Sequence, residues 1–74
     1  MEKYANLSGK SGVASFEIGE DFICIKFRDG SKYLYNNERT EFSNIQKMIL
    51  LARSGKGLNS FINRNVKDMY AKKY

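Results

Sequence analysis

Four polar side chains in the second half of the chain have a spacing that suits binding to a phosphate or a base edge. Lys56, Asn59, Asn63 and Lys67 recur every three or four residues, which places them on one face if this stretch is helical. Ammonium groups attract phosphates, and carboxamides both donate and accept hydrogen bonds. The pattern therefore predicts a binding surface, although amides on an exposed helix face are also ordinary polar surface.

The loop before this stretch, Ser54-Gly55-Lys56-Gly57, has two interpretations. Backbone N–H groups at a helix start can meet a phosphate. The loop lacks the G-x-x-x-x-G-K-S/T spacing of a P-loop, however, and a glycine cap between two helices explains the same residues. Both interpretations stay open at this point.

The composition argues against catalysis. The chain has no His, so the commonest general base and metal ligand is missing. Its one cysteine, Cys24, has no histidine to activate it and cannot form a zinc site or an intramolecular disulfide alone. We expect a non-enzymatic protein with no cofactor and no metal.

Positive charge is concentrated in the second half of the chain. Residues 1–43 carry six Lys or Arg against seven acids, a balance of −1, whereas residues 44–74 carry seven against one, a balance of +6. If these cations share one continuous surface, they attract RNA or another polyanion. The expected contacts are Lys56, Gly57, Asn59, Asn63, Arg64, Lys67, Lys72 and Lys73. A solubilising charged face is the alternative explanation.

The elements that would position these residues follow from periodicity. Alternation predicts three short strands, at residues 13–18, 22–28 and 31–36, with Ala14, Phe16 and Ile18 on one face of the first. Residues 1–11 are polar and glycine-containing and predict a flexible arm, with a single domain over residues 12–70 and a basic tail at residues 71–74.

The turn at Asp29-Gly30 allows two registers for the second hairpin. A two-residue loop would bury Lys32 and expose Tyr33 and Tyr35. A three-residue loop that includes Arg28 would turn both tyrosines towards the core and leave Lys32 outside. We favour the second register, because a buried unpaired lysine costs several kcal/mol.

Two helices should follow the strands. Ser43 with Gln46 matches a capping box, so a helix is expected from Asn44, with an apolar stripe at Ile45, Met48, Ile49 and Ala52 and an end at Gly55. A second helix is expected after Gly57, with its stripe at Leu58, Phe61, Ile62, Val66 and Met69. The predicted fold is α+β: a three-stranded antiparallel meander followed by two helices packed on one face.

Five Tyr and five Phe make the chain rich in aromatic residues. Tyrosines interleaved with cations on an open sheet stack on single-stranded bases, which makes Tyr33, Tyr35 and Tyr70 possible aromatic contacts. Packing of a small core is the alternative role for Tyr33 and Tyr35.

The order of motifs resembles the KTSC domain, a segment found at the C-terminus of some lysyl-tRNA synthetases and in small stand-alone proteins. The resemblance rests on Asp29-Gly30-Ser31, Tyr33-Leu34-Tyr35, and the stretch from Gly55 to Asn63 with Val66-Lys67 and Tyr70. It implies an α+β domain and a suggested role in RNA binding. It also points to Tyr33, Tyr35, Gly57, Asn59, Phe61, Asn63 and Lys67 as the family's recurring features.

Two alternatives to RNA binding remain. One is a homo-oligomer that binds a nucleotide or nucleotide signal, suggested by the glycine loop and the small core. The other is a protein-binding or inhibitory module that uses a sheet edge. The start of the chain has no apolar segment like that of a signal peptide, and no apolar run is long enough for a membrane span, so a cytoplasmic location is expected.

Overall fold

The computed structural model describes all 74 residues, which form an antiparallel sheet with helices on one side. The strands, neighbours in chain order, are β1 (Glu2–Lys3), β2 (Val13–Ile18), β3 (Phe22–Phe27), β4 (Lys32–Asn36) and β5 (Lys72–Lys73). The helices are α1 (Phe42–Ser54) and α2 (Leu58–Phe61), and a π-helical segment, Ile62–Val66, continues α2. The α+β class is confirmed, but the sheet has five strands where the sequence predicted three.

The second hairpin has the three-residue loop that binary patterning favours. Gly30 has φ 92°, in the left-handed region that this loop needs. Ile25 pairs with Tyr33 and Ile23 with Tyr35. Tyr35 is buried and Tyr33 is half-buried against the core, so the register with core-facing tyrosines is confirmed.

A β-bulge in β2 changes which of its residues face the core. The pairing with β3 shifts between Val13 and Ser15, which makes Ala14 an extra residue in the strand. Val13 and Phe16 are buried, and Ala14 is only half-buried. The prediction that Ala14 shares a face with Phe16 is therefore wrong.

The predicted apolar stripe of helix α1 packs against the sheet, and the helix ends at the predicted glycine. Ile45, Met48 and Ala52 are buried against β3 and β4. Gly55 has φ 83°, and its N–H donates to the Leu51 carbonyl at 3.1 Å. This is the glycine cap that the sequence predicts.

The start of α1 differs from the prediction. The helix begins at Phe42, and the Glu41 carbonyl accepts the N–H groups of Asn44 and Ile45 at 3.0 and 3.2 Å. Ser43 already lies inside the first turn, and no side chain caps the helix. The predicted capping box at Ser43 is therefore wrong.

The predicted second helix is one α-helical turn followed by a wider π-helical turn. Leu58, Ile62 and Val66 are buried, as expected. Met69 is 44% exposed because the helical path ends before it. The asparagines of this segment are weak helix formers, and the Asn65 side chain donates to the carbonyl four residues earlier at 3.1 Å.

Both ends of the chain join the sheet, where the sequence predicts an arm and a tail. Strand β1 pairs with β2, and Tyr4 is buried with its hydroxyl accepting the Leu58 N–H at 3.4 Å. Strand β5 pairs with β4, and the Ala71 N–H donates to the Leu34 carbonyl at 2.7 Å. Two-residue strands are too short to show alternation, so only their pairing with distant residues reveals them.

Candidate functional site

A groove of about 420 Å³ lies between the β5 side of the sheet and the π-helical segment. Its volume falls in the range of small-molecule sites. Aromatic rings, two ammonium groups, two carboxylates and other polar groups line it: Phe27, Asp29, Ser31, Tyr33, Tyr35, Ile62, Asn63, Lys67, Asp68, Tyr70 and Lys73. We call this site the tyrosine groove.

The aromatic wall of the tyrosine groove is a cluster of rings packed edge to face. The Tyr33 ring centre lies 5.4 Å from that of Phe27 and 5.0 Å from that of Tyr70, and the Tyr35 ring centre lies 6.5 Å from that of Tyr70. Tyr35 is 1% exposed, so it is a packing residue with no free face. Tyr33 and Tyr70 are half-buried, so these two retain surface for a ligand.

Lys73 reaches the tyrosine groove from β5. Its Nζ lies 5.2 Å from the centre of the Tyr33 ring, within the range of a cation–π interaction. The nearby Tyr33 side chain raises the pKa of Lys73. The groove therefore presents a charged ammonium group in a defined position.

Asp29 supplies a carboxylate from the hairpin loop. The Ser31 hydroxyl donates to its Oδ1 at 2.6 Å and the Ser31 N–H at 2.9 Å. These hydrogen bonds lower the pKa of Asp29, so the group is ionised at neutral pH. Together with Asp68, it balances the charges of Lys67 and Lys73, which makes the groove formally neutral.

Only part of the predicted polar face reaches the tyrosine groove. Asn63 and Lys67 line it. Asn59 is half-buried, and its Oδ1 lies 3.8 Å from the point that a Cβ on Gly12 would occupy. Arg64 is exposed outside the groove. The π-helical turn departs from the repeat of 3.6 residues, so the predicted four-residue face is not one surface.

The glycine loop is a structural connection. The Gly55 carbonyl accepts the Leu7 N–H at 2.7 Å, and a Cβ on Gly55 would lie 2.7 Å from that of Ala5. The Ser54 hydroxyl donates to the Leu51 carbonyl at 2.9 Å. The loop is therefore a helix cap packed against the N-terminal segment, and neither Lys56 nor Gly57 lines the tyrosine groove.

The cations of the second half do not form one continuous surface. Lys72 and Lys73 alternate along β5, so Lys73 enters the tyrosine groove while Lys72, opposite Leu34, lies on the other side of the sheet. Arg53 lines a separate pocket beside Glu2. Lys72 and Lys73 therefore lie on opposite sides of the sheet, and Arg53 on α1 lies in a different pocket from Lys73. The predicted single basic surface does not form.

The sequence reasoning missed the polar groups of the hairpin loop. The sequence predicts Asp29 as a turn residue and Ser31 as the start of the third strand, and the confirmed register brings both beside Tyr33. Asp68 and Phe27 also line the groove without a signal in the sequence, because residues far apart in the chain meet there.

Comparison with protein-family models, curated proteins and solved structures finds no match for this chain. The KTSC resemblance therefore rests on the motifs alone. No group of three His, Cys, Asp or Glu side chains is arranged to hold a metal ion. None of the helices has the length and apolar character needed to cross a membrane.

Proposed function

We propose that this protein binds single-stranded RNA and takes one nucleotide of it into the tyrosine groove. One observation carries the proposal: Tyr33, Tyr70, Asn63, Lys67 and Lys73 line the same groove. Aromatic rings stack on unpaired bases, ammonium groups bind phosphates, and a carboxamide reads a base edge. The sequence predicts each of these side chains as a contact with the same chemistry.

The two carboxylates favour a nucleotide over a simple polyanion. An ionised carboxylate only accepts hydrogen bonds, so Asp29 and Asp68 suit a ligand that brings donors as well as phosphate. Exocyclic amino groups and ribose hydroxyls are such donors, and the 2′-hydroxyl distinguishes RNA from DNA. The formally neutral groove thus suits a nucleotide, with its base and ribose donors, better than it suits inorganic polyphosphate.

The KTSC resemblance supports the same proposal, because it implies an α+β domain with a suggested role in RNA binding. We accordingly propose that this is a KTSC-like domain that acts by binding and needs no cofactor. A free nucleotide is the second candidate ligand, since the groove has the volume of a small-molecule site.

The edges of the sheet offer less to a protein partner. Strands β1 and β5 have two residues each and carry exposed lysines, Lys3, Lys72 and Lys73. Short edges with lysines are features that prevent strand addition. Docking through a sheet edge is therefore not the function that we propose.

Fluorescence anisotropy with a labelled oligouridine of about 12 nucleotides tests the proposal. Lys67→Gln combined with Lys73→Gln should weaken binding by about tenfold, because both ammonium groups lie in the groove. Lys10→Gln combined with Lys47→Gln removes the same charge from exposed residues outside the groove and should change binding little.

Equal losses in the two double variants, or tight binding that is insensitive to salt, would contradict the proposal. A free nucleotide that competes as well as the oligonucleotide would assign the groove to the second candidate. A deoxyuridine oligonucleotide should bind more weakly than the RNA, because it lacks the 2′-hydroxyl donors.

A further inference from the structure

Helix α1 packs on one side of the sheet and leaves the opposite side open. Ile25 and Tyr33 point towards α1 and the core. Their neighbours Lys26 and Lys32 therefore point to the open side, because successive residues of a strand alternate. Both of these lysines come from the half of the chain with a balance of −1.

The strand registers align these lysines in one row across the sheet. Lys26 lies directly opposite Lys32, Ser15 opposite Lys26, and Lys3 opposite Ser15. Neighbouring strands are about 4.8 Å apart, so the row crosses four strands within roughly 15 Å. Lys72, opposite Leu34, adds a cation in the next row.

Arg28 extends this set of cations beyond the row. It follows Phe27, a core-side residue, and lines a pocket together with Lys3 and Ala14. We call the set the lysine face: Lys3, Lys26, Arg28, Lys32 and Lys72. The nearest acid on this side is Glu17, in the next row opposite Cys24, and Asp21 lies in the turn beyond.

Packing does not require two lysines directly opposite one another. Like charges in that position destabilise a sheet, and Lys26 and Lys32 have no acid in their row. A bound anion would relieve this repulsion. The row is thus arranged for a ligand that supplies several negative charges.

We propose that the lysine face binds the phosphate backbone of single-stranded RNA. This inference extends the proposed function, because it adds a second contact surface to the nucleotide site. Lys73 lies in the tyrosine groove and Lys72 on the lysine face, so one RNA strand reaches both by passing around β5. Tyr74 is 60% exposed at the same edge, with the Nζ of Lys72 5.0 Å from its ring centre, and offers a face to a base.

A nucleic acid fits this surface better than a protein does. The centre of the open side is mixed: the apolar and aromatic residues there are Phe22, Cys24, Leu34 and Tyr74, and the polar or charged ones are Glu17, Asp21, Lys32 and Asn36. Protein interfaces have a larger apolar core that excludes charge. Clustered cations around a small apolar centre suit a phosphate backbone.

Cys24 provides a direct test, because this only cysteine lies on the open side between Glu17 and Leu34. Its rate of alkylation by N-ethylmaleimide at mildly alkaline pH should fall several-fold when saturating oligouridine is added. Lys67→Gln with Lys73→Gln should keep this protection at saturating RNA. The affinity of this variant therefore tests the groove proposal, and the protection of Cys24 tests the lysine-face proposal, so the two can fail separately. An unchanged alkylation rate in a sample where anisotropy reports bound RNA would overturn the inference.

The salt dependence of binding gives a second readout. Lys26→Gln with Lys32→Gln should reduce the slope of log K against log salt by about 1.4, since each phosphate contact to a single strand contributes about 0.7. Lys10→Gln with Lys47→Gln should leave the slope unchanged. An unchanged slope in the Lys26 and Lys32 variant would contradict the inference, as would protection of Cys24 by phosphatidylserine vesicles but not by RNA.

Discussion

The tyrosine groove and the lysine face lie on opposite sides of the same strands and use cations differently. In the groove the charged groups are tethered, with Lys73 over the Tyr33 ring and Asp29 bonded to Ser31. On the lysine face Lys26 stands opposite Lys32 with no acid in the row. A preorganised, balanced site selects a ligand by its shape and donors, whereas an unbalanced row attracts any strand of phosphates.

The two surfaces also differ in what they contribute to folding. The groove shares its tyrosines with the core, where Tyr35 is buried and Tyr33 and Tyr70 pack against the buried cluster. The lysine face consists of side chains that leave the core unchanged when they are shortened. Substitutions of the groove tyrosines should therefore lower the free energy of unfolding, and substitutions on the lysine face should not.

The largest expected effect is a fall in the free energy of unfolding at alkaline pH, where Tyr35 of the groove ionises. Burial raises the pKa of Tyr35 from 10.0 to about 12, with Tyr33, Tyr70 and Asp68 adding to the shift. Because folding raises this pKa, the neutral phenol contributes roughly 2–3 kcal/mol to the free energy of unfolding below pH 10. This contribution is lost as the pH rises towards 12. Urea unfolding at successive alkaline pH values measures this loss. Tyr35→Phe should show a smaller decrease than the natural chain, and equal decreases would contradict the assignment.

A smaller loss should follow Tyr70→Ala. This change removes a half-buried ring that packs on Tyr33 and Tyr35, and we expect the free energy of unfolding to fall by about 2 kcal/mol. Leu34→Ala, on the open side of the sheet, should cost less than half as much. Urea unfolding of both variants compares the two sides of the sheet directly. If Leu34→Ala proved the more destabilising, the assignment of the groove to the core would be wrong.

The smallest expected effect is an increase, not a decrease, in the free energy of unfolding. Lys32→Glu places a carboxylate opposite Lys26 and should raise the free energy of unfolding by about 0.5 kcal/mol while weakening RNA binding. Lys10→Glu makes the same charge change at an exposed residue outside the sheet and serves as the control. A loss of stability in Lys32→Glu that exceeds the loss in the control would show that the paired lysines do not repel.

Much of the fold could be predicted because local signals were strong. Alternation and the left-handed Gly30 gave the central hairpin and its register, and the apolar stripe with Gly55 gave α1 and its end. The two edge strands were missed, because two residues show no periodicity. The start of α1 was misplaced because a capping-box pattern at Ser43 also fits a serine inside the first turn.

The candidate site was only partly predictable for a related reason. Asn63, Lys67 and Tyr70 follow one another in the sequence, and their residue types indicated binding. Their meeting with Asp29 and Lys73 depends on β5 pairing with β4, which brings together residues that are 38 and 40 positions apart. The lysine face is not evident from the net charge of either half of the chain, because strand pairing brings together cations that are far apart in the sequence.

Mapping of backbone and side-chain amide shifts by NMR tests the central claim most directly. The ¹⁵N-labelled natural chain is titrated with oligouridine, and the amides of Asn63, Lys67, Tyr70 and Lys73 should shift first and saturate together. The Asn63 carboxamide should shift as well, because it lies in the groove. Shifts confined to the loop at residues 54–57, or no shift at these four residues when RNA is bound, would contradict the claim that the tyrosine groove holds a nucleotide.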